Sequence, residues 1–93
     1  MALRYYIDPE TGQTHIYRHG VAEHEVEEVL RRPIEDRPGR EGARVALGQR
    51  EEGRYLRVIY VPDPVPESAF VITAYQLGAK ALRALRRRRR RRS

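Results

Sequence analysis

The stretch Gly53–Leu77, GRYLRVIYVPDPVPESAFVITAYQL, decides how the chain folds. It holds two segments rich in β-branched and aromatic residues, Arg54–Val61 and Ala69–Tyr75, joined by a connection carrying Pro62, Pro64 and Pro66. Branched and aromatic side chains pack well on a pleated surface, so both segments are expected to be strands. The prolines lack an amide donor and keep either strand from running on into the connection. Val58–Val61 and Ala69–Ile72 are unbroken apolar runs. A strand with water on one face alternates, so unbroken runs predict strands covered on both faces and central in a sheet. Arg57 and Thr73 interrupt the pattern, and each either reaches water or holds a ligand.

Outward from this pair, Arg50–Gly53 (REEG) reads as a hairpin turn feeding from a strand at Arg44–Gln49, with Val45 and Leu47 on one face. Ile34–Gly42 (IEDRPGREG) is charged and rich in Gly and Pro, the composition of a surface loop. Before it, Ala22, Val26, Val29 and Leu30 fall on one stripe of a helix spanning Ala22–Arg32. Glutamates fill its first half and Arg31 and Arg32 its end, matching the helix macrodipole, and Pro33 stops it. Val21 and Val26 are spaced for a hydrophobic staple and Glu25 for a capping box, although the cap position is Ala22.

At the start of the chain, Leu3, Tyr5 and Ile7 alternate with polar neighbours, predicting a strand with one buried face. Asp8–Gln13 (DPETGQ) is a turn, from which Thr14–Arg18 is expected to return as a second strand. Beyond Tyr75, Ala79, Leu82 and Leu85 mark a short helix whose arginine-rich last turns repel one another and are expected to fray unless an anion binds. The plan is β(β)-α-β-β-β-α, an α+β domain over residues 1–85 with a mainly antiparallel sheet, followed by an arginine-rich tail at residues 86–93.

The chain has 93 residues, enough for one modest core, and no Cys, which excludes disulfides and thiolate metal sites. No apolar run approaches the roughly 20 residues of a membrane span and Met1 opens no apolar leader, so a cytoplasmic, membrane-free protein is expected. The net charge of +6 is misleading until it is located. Without Arg86–Arg92, twelve basic residues face thirteen acidic ones, a balance of −1. The basic end therefore attracts a polyanion such as RNA, DNA or an acidic protein, or else is a solvated tail with no dedicated ligand.

The chain contains His15, His19 and His24. They straddle a strand, a turn and a helix with no further ligand in reach, so neither zinc nor any other cofactor is expected. His19, just before Gly20 at the helix entrance, is placed either to shuttle a proton near neutral pH or simply to order the turn. Tyr75, at a strand end shortly before Lys80 and Arg83, has the makings of a base-stacking and phosphate-holding site. Arg44, Arg54 and Arg57 lie on adjacent strands, where they either line one groove or pair with Glu51, Glu52 or other surface acids.

Three segments carry a family resemblance: RHGVAEHEVEEVL at Arg18–Leu30, GRYLRVIYVPD at Gly53–Asp63, and VITAYQL at Val71–Leu77. Together they resemble the small toxin-like domains of the BrnT group, distant relatives of RelE toxins, and a sister family of unassigned function with the same pattern. The likeness runs roughly from Tyr17 to Leu85. It implies a compact RelE-like sheet with flanking helices and metal-independent cleavage of RNA, free or on the ribosome. It also implies an antitoxin partner that masks the site. By position, His19, Arg54 and the end of the last strand carry over. The expected roles are Arg54 or Arg57 on phosphate, His19 as proton shuttle and Tyr75 as stacker or acid. Arg44, Lys80, Arg83, Arg86, Arg87 and Arg88 would add RNA contacts. One departure is visible: the BrnT group commonly ends that strand in Ser-Ala-Arg, whereas this chain has Thr73-Ala74-Tyr75, and the Ala-Tyr ending resembles more the sister family, whose members need not be nucleases. The other reading is a non-catalytic RNA- or protein-binding module whose arginine tail supplies the affinity.

Overall fold

The computed structural model describes residues 1–50 and 53–92. In chain order the elements are β1 (Ala2–Tyr5), a 3₁₀ turn (His15–His19), α1 (Glu23–Arg31), β2 (Glu35–Pro38), β3 (Arg44–Gln49), β4 (Tyr55–Pro62), β5 (Ser68–Gln76) and α2 (Ala79–Arg92). They form an α+β fold around one five-stranded sheet of order β1-β5-β4-β3-β2. Only β1 is parallel to its neighbour; the other three pairings are antiparallel. The two segments with unbroken apolar runs are interior strands, as expected, but they are not covered on both faces: burial alternates along each, because one face is left partly open.

Each sheet face has its own cover. Ala46, Leu56, Val58, Tyr60, Ala69, Val71 and Ala74 face α1 and bury Val26 and Val29 completely. Gly48 lets α1 sit this close, since a Cβ there would lie 3.0 Å from Val29 Cγ1. On the other face Leu47, Leu77 and Leu85 form a smaller cluster with Val45, Tyr55, Ala81 and Leu82. This second face is covered only where α2 crosses it, so Ile59, Val61, Phe70 and Ile72 remain half-buried. The pairing of β4 with β5 shifts register between Ile59 and Tyr60. Ile72 is the extra residue, and Thr73 and Tyr75 beyond it stay on the second face opposite Ile59 and Arg57.

Four local expectations are corrected. Thr14–Arg18 does not return as a strand. Thr14 makes a single bridge to Ile7, and the chain then winds into the 3₁₀ turn, because Ile16 must reach the core while its neighbours face out. Gly20, at φ 67°, ends that turn in the left-handed conformation glycine tolerates best. Ile34–Gly42 is not all loop: Glu35–Pro38 is the outer edge strand, polar because its face and edge meet water, with Pro38 at its end. The apolar stripe of α2 runs through Ala81, Leu82 and Leu85, leaving Ala79 exposed. Finally, α2 is longer than the short helix expected and runs through Arg92. Its anion is internal: Arg88 makes two bonds of 2.7 and 2.8 Å to the Glu35 carboxylate, which raises the Arg88 pKa. Glu51 and Glu52, expected as partners for nearby arginines, lie outside the described residues.

Two carboxylates hold the segments that carry side chains to the second face. Glu25, 3% exposed, accepts the Ala22 N–H at 2.9 Å, half of a capping box whose other half Ala22 cannot supply. The same carboxylate lies 2.7 Å from Arg50 and 3.5 Å from Arg54, tying α1 to the β3–β4 hairpin. Asp8, also 3% exposed, closes the turn that leads to the 3₁₀ helix. Its Oδ1 accepts the Glu10 N–H at 2.9 Å, and Arg18 lies 2.9 Å from Oδ2. The Glu10 N–H, then Arg18 and His15, hold the Asp8 carboxyl below its ordinary range.

Three outcomes follow. Ala22→Ser completes the capping box and should raise stability by about 1 kcal/mol in denaturant titration; an unchanged midpoint would contradict the helix start. Glu25→Ala removes both the acceptor of the Ala22 N–H and the buried carboxylate between Arg50 and Arg54, and should cost about 3 kcal/mol in the same titration. For Asp8 the folded-state pKa is depressed, so its contribution is present above the unfolded value of about 3.9 and is lost as pH falls through the folded value. The melting-temperature advantage of wild type over Asp8→Asn should be constant at neutral pH and shrink in acid.

Candidate functional site

The 3₁₀ turn brings His15 and His19 side by side on the uncovered part of the second sheet face, their rings 5.3 Å apart and edge-on at 78°. Tyr6 packs against His15 at 5.8 Å and Tyr75 against His19 at 5.8 Å. Tyr75 stands opposite Arg57 in the β4–β5 ladder. Arg57 Nη1 donates to the Tyr75 hydroxyl at 3.3 Å, with its guanidinium carbon 5.8 Å from the ring centre. The result is a continuous row, Tyr6–His15–His19–Tyr75–Arg57. Tyr6, His15, His19, Ile72, Thr73 and Tyr75 line a cleft of about 510 Å³ along it.

Polar groups in and behind this cleft have unused bonding capacity. Thr73 Oγ1 and Arg57 Nε are buried without a hydrogen-bond partner among the described residues. His15 Nδ1 is buried too, and the acceptor near it is Asp8 Oδ2 at 3.5 Å. With Nδ1 turned toward a carboxylate, Nε2 is the nitrogen left for a ligand. Asp8 is thus a positioning group for His15 through the turn it closes. Chemically, the row combines two imidazoles for proton transfer, a guanidinium for a phosphate and two aromatic rings for stacking. No group of three or more metal-ligating side chains is assembled among the described residues.

Of the residues singled out from sequence, His19, Arg57 and Tyr75 meet here. Arg54 does not: it turns to the α1 side of the sheet, against Glu25. Arg44 also lies on that side, bonding the Asp36 side chain at 2.9 Å and its carbonyl at 3.1 Å. Asp36 further accepts from the Tyr60 hydroxyl, and burial followed by that carboxylate pushes Tyr60 up to about 12. Arg44, Arg54 and Arg57 therefore do not line one groove; the period-2 alternation of strands divides them between faces. Lys80, Arg83, Arg86 and Arg87 are exposed along α2, while Arg88 is held by Glu35. A larger depression, about 740 Å³, lies among Glu28, Arg31, Arg32, Gln49, Arg50 and Gly53, on the other side of α1. Arg31 and Arg50 there are already paired, with Glu27 and Glu25.

Sequence reasoning missed Tyr6, Asp8 and His15. The four-residue step from His15 to His19 was the available signal. It carried no weight while Thr14–Arg18 was read as a strand, since a strand does not stack residues four apart side by side as a helical turn does.

Among the described residues no helix is long and apolar enough to cross a membrane. No curated protein and no solved structure matches the chain significantly. A family match extends over residues 13–76, from just before the two histidines to the end of β5. It contains every element that builds the cleft except β1 and the turn that follows it. On that match the chain belongs to the family described as a domain of unknown function (DUF4258).

Proposed function

We propose that the protein is a toxin-like, metal-independent endoribonuclease of the type II toxin–antitoxin kind, acting on RNA in the cytoplasm. The observation that carries this reading is the convergence of His19, Tyr75 and Arg57 with a second histidine in one cleft. Cleavage of RNA needs no metal if the 2′-hydroxyl attacks the adjacent phosphorus. The oxygen–phosphorus bond to the 5′-oxygen then breaks, leaving a 2′,3′-cyclic phosphate and a free 5′-hydroxyl. One imidazole takes the 2′-hydroxyl proton and the other returns a proton to the leaving oxygen. Arg57 neutralises charge gathering on the phosphoryl oxygens, and Tyr75 and Tyr6 stack flanking bases. The BrnT resemblance supports the same chemistry. It also suggests a cognate antitoxin covering the cleft, and the ribosome as a carrier of the substrate.

The second reading is a non-catalytic RNA-binding module. It is favoured by Tyr75, which stands where the BrnT group has Arg and whose hydroxyl is already engaged by Arg57. The two readings separate in one experiment. Single-stranded RNA incubated with the protein in EDTA should be cut to cyclic-phosphate ends with a bell-shaped pH–rate profile. RNA with 2′-deoxy groups should stay intact. His15→Ala and His19→Ala should each slow cleavage by about 10²–10⁴-fold while leaving RNA binding close to wild type. RNA left uncut with and without ribosomes, together with harmless expression in cells, would sink the nuclease reading.

A further inference from the structure

The cleft has an exit. β5 ends at Gln76, one residue past Tyr75, and α2 begins at Ala79. From there α2 crosses the second face: Leu77 N–H bonds Tyr55 O beside β4, Leu85 packs on Leu47 of β3, and Arg88 reaches Glu35 on β2. These contacts set the helix rotation. With Ala81, Leu85 and Arg88 facing the sheet, Lys80, Arg83 and Arg87 recur at i, i+3 and i+7 on the outward side, and all three are exposed. Seven residues at 1.5 Å each make this row about 10 Å long. Arg57, on β4, stands between Tyr75 of β5 and Leu47 of β3, the residue on which Leu85 of α2 packs.

We infer that this row is a track for the sugar–phosphate backbone of single-stranded RNA leaving the cleft at Tyr75. It rests on the RNA reading proposed above and adds a substrate class: strands long enough to fill the cleft and the track together. At a stacked rise of about 3.4 Å per phosphate, the row spans roughly three phosphates. The Glu35–Arg88 pair is what makes it a track. It pins the middle of the arginine run to the sheet edge, so the cations upstream are presented by a fixed helix instead of a loose tail. Arg4 lies on the same open face but is occupied by Asp63 at 2.6 Å. The outward side of Lys80, Arg83 and Arg87 has no acidic neighbour in the same turn.

The test compares full-length wild type with Lys80→Gln/Arg83→Gln/Arg87→Gln, and with a charge-matched control carrying Arg31→Gln/Arg32→Gln/Arg40→Gln. The probes are a dinucleotide and a ten-nucleotide oligouridylate, both 2′-O-methylated so that binding is read without cleavage. Wild type should bind the decamer at least tenfold more tightly than the dinucleotide. Its log K against log salt should be steeper for the decamer, and the track variant should flatten that slope by about 2 units, at about 0.7 per cation. Arg83→Gln alone should flatten it by about 0.7, which keeps the test open if the triple variant folds poorly. The control should retain the length gain. Equal affinity for both lengths overturns the track, as does an equal loss in the control or equal binding of a blunt RNA duplex. If track-dependent binding holds but unmodified decamer is never cut, the track stands and the nuclease reading falls. If no RNA binds, both fall.

Discussion

The pairing of β4 with β5 is the constraint on which the rest depends. It lies inside the sheet, and the face it presents to α1 is built from both strands, while α2 packs beside it, on β3 and the start of β4. Its register also decides which side chains meet in the cleft. A one-residue slip between antiparallel strands would send every side chain to the opposite face. The irregularity at Ile59/Tyr60 is therefore a local device with a wide effect. Below it, Val71 and Ala69 point at the core under α1. Past it, Thr73 and Tyr75 stand on the open face, with Arg57 opposite Tyr75.

Around that ladder, charge is used in two distinct ways. On the α1 side, arginines are structural. Arg50 and Arg54 satisfy a buried glutamate that would otherwise be an unpaired charge, and Arg44 serves Asp36 beside a buried tyrosine. Such pairs are weak evidence for net stability but costly to break one partner at a time. On the α2 side, Lys80, Arg83 and Arg87 face open surface, while Arg57 is half-buried against Tyr75. Arg4 and Arg88 on that side are paired, with Asp63 and Glu35, and the Glu35 carboxylate anchors a helix end whose arginines repel one another.

The histidine pair shows how a minor element builds the cleft. Five residues wound as a 3₁₀ turn place two imidazoles in contact, and the turn exists because Ile16 is drawn into the core while Gly20 reverses the chain behind it. Asp8, one turn upstream, is rigid because a backbone amide and Arg18 hold it. Its Oδ2 lies 3.5 Å from His15 Nδ1, so the carboxylate that closes the turn also faces the imidazole.

Much of the architecture could be read from residue order, because it depends on local periodicity. The unbroken apolar runs marked β4 and β5 as interior strands, the stripe Val26–Val29–Leu30 marked α1, and the crowd of arginines marked a basic end. Of the site, His19, Arg57 and Tyr75 could be named on position and type. What residue order could not supply was which of them meet. Arg54 and Arg57 are three apart, one on each side of a strand, and only burial of the α1 face shows which side each takes. Tyr6, Asp8 and His15 join residues some 60 positions away through the parallel docking of β1 on β5, a pairing with no local signature. The edge strand β2 was unreadable for a related reason: its residues are polar because of where the sheet ends, and the end of a sheet is a property of the assembled fold.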